Sequence, residues 1–141
     1  MKNKILLLGL FCCSLISANA QVLLDKGAGK NSFPIVSSSA NAVICFDGKD
    51  ATVVRKSASL FVDDVRRVTG QELKMDESKP GKVSARYAII AGTIGESGWI
   101  DALASRNKID TAAIAGSWER YMIEVVNNPV PGIKKAIVVA G

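Results

Sequence analysis

The feature that most constrains the fold is the apolar run Tyr-Ala-Ile-Ile-Ala at residues 87–91. The run is continuous rather than alternating, and it lies between a charged stretch at 71–86 and a Gly-Thr-Ile-Gly turn at 92–95. A short run of this kind is typical of a strand whose two faces are both covered by other elements. The sequence therefore predicts a fully buried strand followed by a tight turn.

Strands and helices alternate along the rest of the chain. The clearest helix is predicted over residues 56–68, where apolar side chains recur every three or four positions and Gly70 follows as a stop signal. The other predicted elements are a strand pair at 43–46 and 51–55, helices at 96–106 and 110–115, and strands at 121–126 and 134–140. This alternation predicts an α/β fold, a small two-layer sandwich with helices packed on a mixed β-sheet.

The last predicted strand has the composition of a central strand. Residues 136–140 read Ala-Ile-Val-Val-Ala, and Gly141 follows. In a strand–helix alternation the next element is a helix, which would begin at that glycine. We therefore expect a sheet that is incomplete at its C-terminal side and a chain that is the front part of a longer polypeptide.

The first twenty residues predict export. Lys2 and Lys4 precede an apolar run at 5–16, and Ala-Asn-Ala at 18–20 supplies the small residues of a cleavage site. The run is shorter than the roughly twenty residues of a membrane span. Phe11 argues against lipid attachment at the two cysteines that follow it. We expect a signal peptide at 1–20 that is cleaved after Ala20, and a secreted or periplasmic protein that does not stay in the membrane.

Removal of the signal peptide leaves enough chain for one domain. We divide the remainder into an irregular lead-in at 21–42 and an α/β domain at 43–141. Within the lead-in, the patch Phe-Pro-Ile-Val at 33–36 is expected to dock on the domain or to pair at a sheet edge. Cys45 is the only cysteine of the processed chain, and its apolar neighbours predict a buried core residue rather than a reactive thiol.

The charge gives little support for an anionic partner. The formal net charge of +5 falls to +3 when Lys2 and Lys4 leave with the signal peptide. The remaining basic residues are scattered, and no aromatic residues alternate with them as they do in proteins that bind single-stranded nucleic acid. We therefore expect no nucleic-acid partner.

The chain contains no histidine, which excludes the nucleophile–histidine pairs and the common zinc sites. Catalysis would have to rest on carboxylates, and glycoside hydrolysis needs two that face one bond. Asp63 and Asp64 are consecutive on a helix and diverge, whereas Asp47 and Asp50 lie in a turn where such residues are expected anyway. We predict no catalytic residue, metal ligand or cofactor-binding residue in this chain.

Two features are candidate carbohydrate contacts. The first is the turn after the buried strand, with Gly92, Thr93 and Gly95, whose backbone N–H groups could bind an anion or sugar hydroxyls; the alternative is a turn that only lets strand and helix pack closely. The second is a stacking platform of Trp99 and Trp118, together with Tyr121. The alternative for the two tryptophans is packing in the core or between domains.

Four ordered segments resemble the N-terminal domain of glycoside hydrolase family 115. They are 56–70, YAIIAGTIGES at 87–97, GSWERY at 116–121, and VNNPVPGIKKAIVVAG at 126–141. The resemblance implies an exported xylan α-1,2-glucuronidase, in which a small α/β domain precedes a (β/α) barrel that removes glucuronic acid or its 4-O-methyl form from xylan. It also implies that the catalytic carboxylates lie in the barrel, beyond Gly141.

These observations lead to one expectation and two alternatives. The chain is expected to be the N-terminal accessory part of such an enzyme, acting on xylan through the barrel and without catalytic residues of its own. The first alternative is a free-standing carbohydrate-binding or interaction module. The second is a nonfunctional remnant whose last strand stays uncovered.

Overall fold

A computed structural model of the protein describes residues 32–141. The predicted signal peptide at 1–20 and the first part of the lead-in, 21–31, lie outside the described residues. The elements in chain order are β1 (Val43–Cys45), α1 (Thr52–Thr69), β2 (Lys74–Asp76), β3 (Ala85–Gly92), α2 (Gly98–Ala104), β4 (Met122–Asn127) and β5 (Ile133–Ala140). The strands form one five-stranded sheet in the order β2-β1-β3-β5-β4.

The sheet is mixed, and its order reverses between β1 and β3. Strands β2, β1, β3 and β5 are parallel, and β4 pairs antiparallel with β5 at one edge. The chain leaves β1 through α1 toward one edge and leaves β3 through α2 toward the other. Successive side chains of a strand point to opposite faces, and Ile89 belongs to the core of α1 whereas Ala88 and Ile90 belong to the core of α2, so the two helices lie on opposite faces of the sheet. The predicted α/β fold with helices on a mixed sheet is confirmed, with one helix on each face rather than both in one layer.

We call the side of α1 the front face. Its core contains Ala58 and Val62 of the helix packed on Ile44, Phe46 and Ile89 of the sheet region. The patch at 33–36 joins this core, where the ring of Phe33 meets that of Tyr87 edge-on with 5.6 Å between the ring centroids. The later part of the lead-in therefore packs against the front face, although it forms no helix or strand.

We call the side of α2 the back face. The helix contributes Trp99, Ile100 and Leu103, and all three are fully buried against alternate residues of β3 and β5. Cys45 belongs to this core, and burial is the main cause that raises the pKa of its thiol to about 12. The prediction that Cys45 is a buried core residue is confirmed.

Residues 52–55 are helical, so the strand pair predicted at 43–46 and 51–55 is wrong in its second member. Helix α1 begins at Thr52, and its apolar stripe reaches back from Ala58 to Val54, which packs on the front core. Consecutive β-branched residues favour strands by themselves, but tertiary packing overrides this preference. The helix ends as predicted, with Gly70 at a φ of 71° and its N–H donating to the carbonyl of Arg66.

The helix predicted at 110–115 is also wrong. These residues form turns, in which Asp110 accepts a hydrogen bond from the N–H of Ala112 through its side chain at 2.9 Å. Most of the segment is exposed, and a short helix without a buried face gains little from packing. Neither helix of the described residues has the length and apolarity needed to cross a membrane.

Candidate functional site

The candidate site lies at the carboxyl edge of the sheet, at the reversal of strand order between β1 and β3. In open α/β sheets, ligands bind in the crevice beyond the carboxyl ends of the strands at this point. Here the crevice is bounded by the loop from β1 to α1, residues 46–51, and by the loop from β3 to α2, residues 93–97. Gly141 at the end of β5 completes this edge, because it exchanges backbone hydrogen bonds with Gly92 and Ile94.

Two aspartates of the first loop hold the second loop in place. Asp50 accepts a hydrogen bond from the N–H of Thr93 at 2.9 Å, and Asp47 accepts one from the N–H of Gly98 at 3.1 Å. The other oxygen of each carboxylate stays within its own loop, where Asp47 bonds the N–H of Lys49 and Asp50 that of Ala51. Asp47 and Asp50 therefore form turns, as expected, and also join the two loops.

These hydrogen bonds affect the ionisation of Asp47. The backbone N–H of Lys49, and after it that of Gly98, hold the pKa of the Asp47 carboxyl below its ordinary value of 3.8. A carboxyl whose pKa is lowered stays ionised near neutral pH and cannot serve as the protonated acid that glycoside hydrolysis requires. Asp47 is therefore suited to positioning a loop, not to proton donation.

The substitution Asp47→Asn tests this contribution through its pH dependence. Because the folded pKa is lowered, the ionised carboxylate stabilises the fold above pH 3.8, and this stabilisation is lost as the pH falls through the folded value. We expect the variant to be less stable than the parent at pH 7 and the difference to shrink below pH 3.8, as measured by urea unfolding at each pH. Asp64→Asn, on an exposed helix position, is the matched control and should change stability little. A difference that is equal at pH 7 and pH 3 would contradict the account.

The turn with Gly92, Thr93 and Gly95 is built for close packing. A Cβ at Gly92 would lie 2.3 Å from the Ser97 hydroxyl oxygen, and Gly95 has a φ of +81°, which favours glycine. The backbone N–H groups at 93, 94, 96 and 97 all donate to groups of the domain itself. The turn therefore lets strand β3 and helix α2 pack closely, which was the second of its two interpretations. Most of its N–H groups are not free for a ligand.

The two tryptophans have opposite environments. Trp99 is 0% exposed in the back core, and its indole N–H donates to the carbonyl of Ser78 at 2.8 Å. The interpretation of Trp99 as a core residue therefore holds, because a fully buried ring has no face to offer a sugar. Trp118 is 87% exposed and Tyr121 is 69% exposed. Any aromatic platform therefore rests on these two side chains.

A groove of about 450 Å³ opens on the front side of this edge, between α1 and the ends of β3 and β5. We call it the carboxyl-edge groove. Its walls are mostly apolar, and the polar groups at its rim come from Ser57, Thr93 and Tyr121. Its principal lining residues are Ile44, Val53, Phe61, Ala91, Gly92, Val139, Ala140 and Gly141. Such a surface suits apolar packing better than the binding of a polar sugar.

Among residues 32–141, the groove contains neither an acidic side chain nor a metal-binding cluster. No acidic residue lines it, and no group of three or more histidine, cysteine, aspartate or glutamate residues in the described part of the chain could hold a metal ion. Sequence reasoning missed the apolar wall that α1 gives to this groove. The sequence contains a pattern that could have predicted it. Val53, Ser57 and Phe61 recur every fourth residue, so they form a row on the helix beside its main apolar stripe.

Comparison with known proteins adds no relative to these observations. No protein-family model matches the chain, and no curated protein matches it.

Proposed function

We propose that the chain is the N-terminal accessory domain of an exported glycoside hydrolase that resembles xylan α-1,2-glucuronidase. In this proposal the domain packs against a downstream (β/α) barrel, and the barrel removes glucuronic acid or 4-O-methylglucuronic acid from xylan. Export rests on the signal peptide predicted at 1–20. The domain contributes structure to the enzyme and no catalytic carboxylate.

The observation that carries the proposal is an uncovered apolar area on the front face. Helix α1 covers β1 and β2 and reaches β3, but no helix of residues 32–141 covers β4 and β5 on this side. Ile123 is 63% exposed and Val125 is 47% exposed on β4, beside Ile137 and Val139 of β5. A contiguous exposed apolar patch marks a surface that contacts another protein, a ligand or a membrane. An accessory domain that packs within a larger enzyme accounts for such a surface.

The arrangement of carboxylates supports an accessory role as well. A glycosidase needs one protonated and one ionised carboxylate on either side of the scissile bond. Both carboxylate oxygens of Asp47 and of Asp50 accept hydrogen bonds from backbone N–H groups. Glu77 makes a two-point ion pair with Arg55. None of these carboxylates faces the carboxyl-edge groove as part of a pair.

The coding sequence beyond Gly141 tests the proposal at the level of the gene. We expect an open reading frame that continues through a helix into a (β/α) barrel. A stop codon directly after Gly141, confirmed by the mass of the secreted protein, would contradict the proposal.

The second candidate function is a free-standing carbohydrate-binding module, and the exposure of Trp118 and Tyr121 favours it. Affinity electrophoresis of the processed chain in gels with glucuronoxylan measures this binding. If the module binds through these rings, Trp118→Ala should abolish most of the retardation, because it removes the larger of the two exposed aromatic faces. Retardation that is absent, or unchanged in Trp118→Ala, would reject the aromatic platform.

A further inference from the structure

A second cavity lies at the edge of the sheet opposite the carboxyl-edge groove. It has a volume of about 700 Å³ and opens where β3 and β5 begin and where β4 ends. We call it the amino-edge pocket. Its walls are the loop between β4 and β5, the segment directly after α2, the first residues of β5, and Ser84, which precedes β3.

The amino-edge pocket carries positive charge and no negative charge. Arg106, Lys108 and Lys134 line it, and no acidic residue does. None of these three side chains makes an ion pair or a hydrogen bond within residues 32–141, whereas Arg55 and Lys74 are each paired with a carboxylate. Charges of one sign that share a cleft raise the local concentration of ions of the opposite sign. The pocket is therefore suited to an anion.

The fold collects these cations from distant parts of the sequence. Ile109 and Ile133 are both buried in the back core. Their chain neighbours Lys108 and Lys134 are exposed, so the two lysines are held at the same edge of the sheet. Arg106 joins them from the turn that directly follows α2. The basic residues that are scattered along the sequence are thus brought together by the topology.

The loop between β4 and β5 is fixed before any ligand binds. The N–H of Asn128 donates to the carbonyl of Lys134, and the N–H of Ala85 donates to the carbonyl of Gly132, both at 2.8 Å. Gly132 has a φ of +92°, and a Cβ there would lie 2.4 Å from the carbonyl oxygen of Val83, so glycine is required for this close approach. A site that is formed in advance loses less entropy when its ligand binds.

The rest of the lining favours a sugar carboxylate over a phosphate. Phosphate sites are commonly built from backbone N–H groups. Here Pro129 and Pro131 have no N–H, and the N–H groups of Asn128 and Ile133 donate to carbonyls of the same hairpin. The anion is therefore met by side chains, and the guanidinium of Arg106 matches both oxygens of a carboxylate. A uronic acid combines this carboxylate with the C–H faces of a pyranose ring, which suit the apolar part of the lining.

We propose that the amino-edge pocket binds the carboxylate of a uronic acid residue in an acidic polysaccharide, through Arg106, Lys108 and Lys134. The choice of a polysaccharide as the source of the carboxylate rests on the proposed function, whereas the anion site itself does not. The pocket gives the accessory domain a role beyond packing. A second attachment point on the same polysaccharide raises the effective concentration of substrate at a linked catalytic domain, even where each contact is weak.

Affinity electrophoresis of the processed chain tests this inference. The gels contain glucuronoxylan, glucuronoxylan whose carboxylates have been reduced to alcohols, or no polysaccharide as the reference. The test variant combines Lys108→Glu with Lys134→Glu. The matched control combines Lys49→Glu with Lys56→Glu, which changes the net charge equally at two exposed lysines outside the pocket. Circular dichroism checks that each variant is folded, and the single substitution Arg106→Gln repeats the test if the double variant is not.

We expect the dissociation constant for glucuronoxylan to rise at least about tenfold in the test variant and less than about twofold in the matched control, because only the first reverses charge inside the pocket. Arg106→Gln should also weaken binding, and the reduced polysaccharide should not retard the parent chain. The inference fails if the parent is not retarded, if the two double variants lose affinity equally, or if the reduced polysaccharide binds as well.

Three further outcomes would assign the binding elsewhere and overturn the inference. Stronger retardation by poly-glutamate than by glucuronoxylan would identify an acidic peptide as the ligand. Displacement by inorganic phosphate at a lower concentration than by free glucuronic acid would identify a phosphate site. Retardation that is lost in Trp118→Ala but kept in the test variant would place the binding at the exposed aromatic rings.

Release of glucuronic acid from glucuronoxylan by the complete secreted product of the gene separates this inference from the proposed function. If the complete product releases the sugar but the processed chain fails the binding test, only the pocket inference is wrong. If the processed chain passes the binding test but the complete product releases no glucuronic acid, only the proposed function is wrong.

Discussion

Replacing Trp99 with alanine is expected to destabilise the domain by about 3–5 kcal/mol, which is typical of removing a buried tryptophan. The ring is the largest fully buried side chain described, and it packs among the back-face residues around Ile100 and Leu103. The substitution also removes the indole N–H that donates to the carbonyl of Ser78. Urea unfolding followed by circular dichroism measures the loss as a lower midpoint.

Trp118→Ala is the matched control for this prediction. The side chain is 87% exposed, so its removal should change the free energy of unfolding by no more than about 0.5 kcal/mol. The pair therefore separates a structural tryptophan from a surface tryptophan in one experiment. Equal losses for Trp99→Ala and Trp118→Ala would contradict the burial described for these two rings.

Replacing Gly92 with alanine is expected to cost about 3 kcal/mol, in the upper range for overpacking a core. The new Cβ would lie 2.5 Å from the Ser97 Cβ and 2.9 Å from the Ile100 Cγ1, and both neighbours are fully buried. Neither has room to move, so the strand and the start of α2 must separate. Thermal or urea unfolding of the variant measures the effect.

Two further variants identify the cause of that loss. Gly95→Ala has no neighbour within 4 Å of the new Cβ, but its φ of +81° is unfavourable, so we expect a smaller loss of about 1 kcal/mol. In Gly92→Ala with Ser97→Gly, the closest clash is removed, and part of the stability should return. Removal of the Ser97 side chain breaks no hydrogen bond, because its buried hydroxyl has no partner among the described residues. No recovery in the double variant would show that the clash with Ser97 is not the cause.

The regular elements of this fold were predictable where periodicity is strong. The buried run at 87–91 lies in β3, the run at 136–140 lies in β5, and the stripe at 56–68 lies in α1. The start of α1 was not predictable from propensity, because Thr52, Val53 and Val54 favour a strand until the packing of Val54 on the front core is taken into account. Local preference and tertiary packing disagree at the start of α1, and packing decides.

The candidate site was less accessible to sequence reasoning because its contacts are distant in the chain. Asp50 and Thr93 are 43 residues apart, and Asp47 and Gly98 are 51 residues apart. Nothing in a short window distinguishes an aspartate that joins two loops from one that only forms a turn. Trp99 is followed by Ile100 whereas Trp118 lies between Ser117 and Glu119, but the topology is needed to show that α2 turns Trp99 inward.

In the proposed function this chain is a structural domain of a larger enzyme, and two features of the domain agree with that role. The residues that resemble the family 115 segment at 87–97 serve packing, since Gly92 admits Ser97 and Thr93 is tied to Asp50. The exposed Ile123 and Val125 of β4, in turn, leave apolar surface for a neighbour. A domain of this kind acts by supporting the fold around a catalytic centre that it does not itself contain.

The central claim is tested most directly by measuring the release of glucuronic acid, or of its 4-O-methyl form, from glucuronoxylan by the complete secreted product of the gene. The account predicts release by the complete product and none by the processed chain that ends at Gly141. No release by the complete product would contradict it, and so would undiminished release by the chain that ends at Gly141.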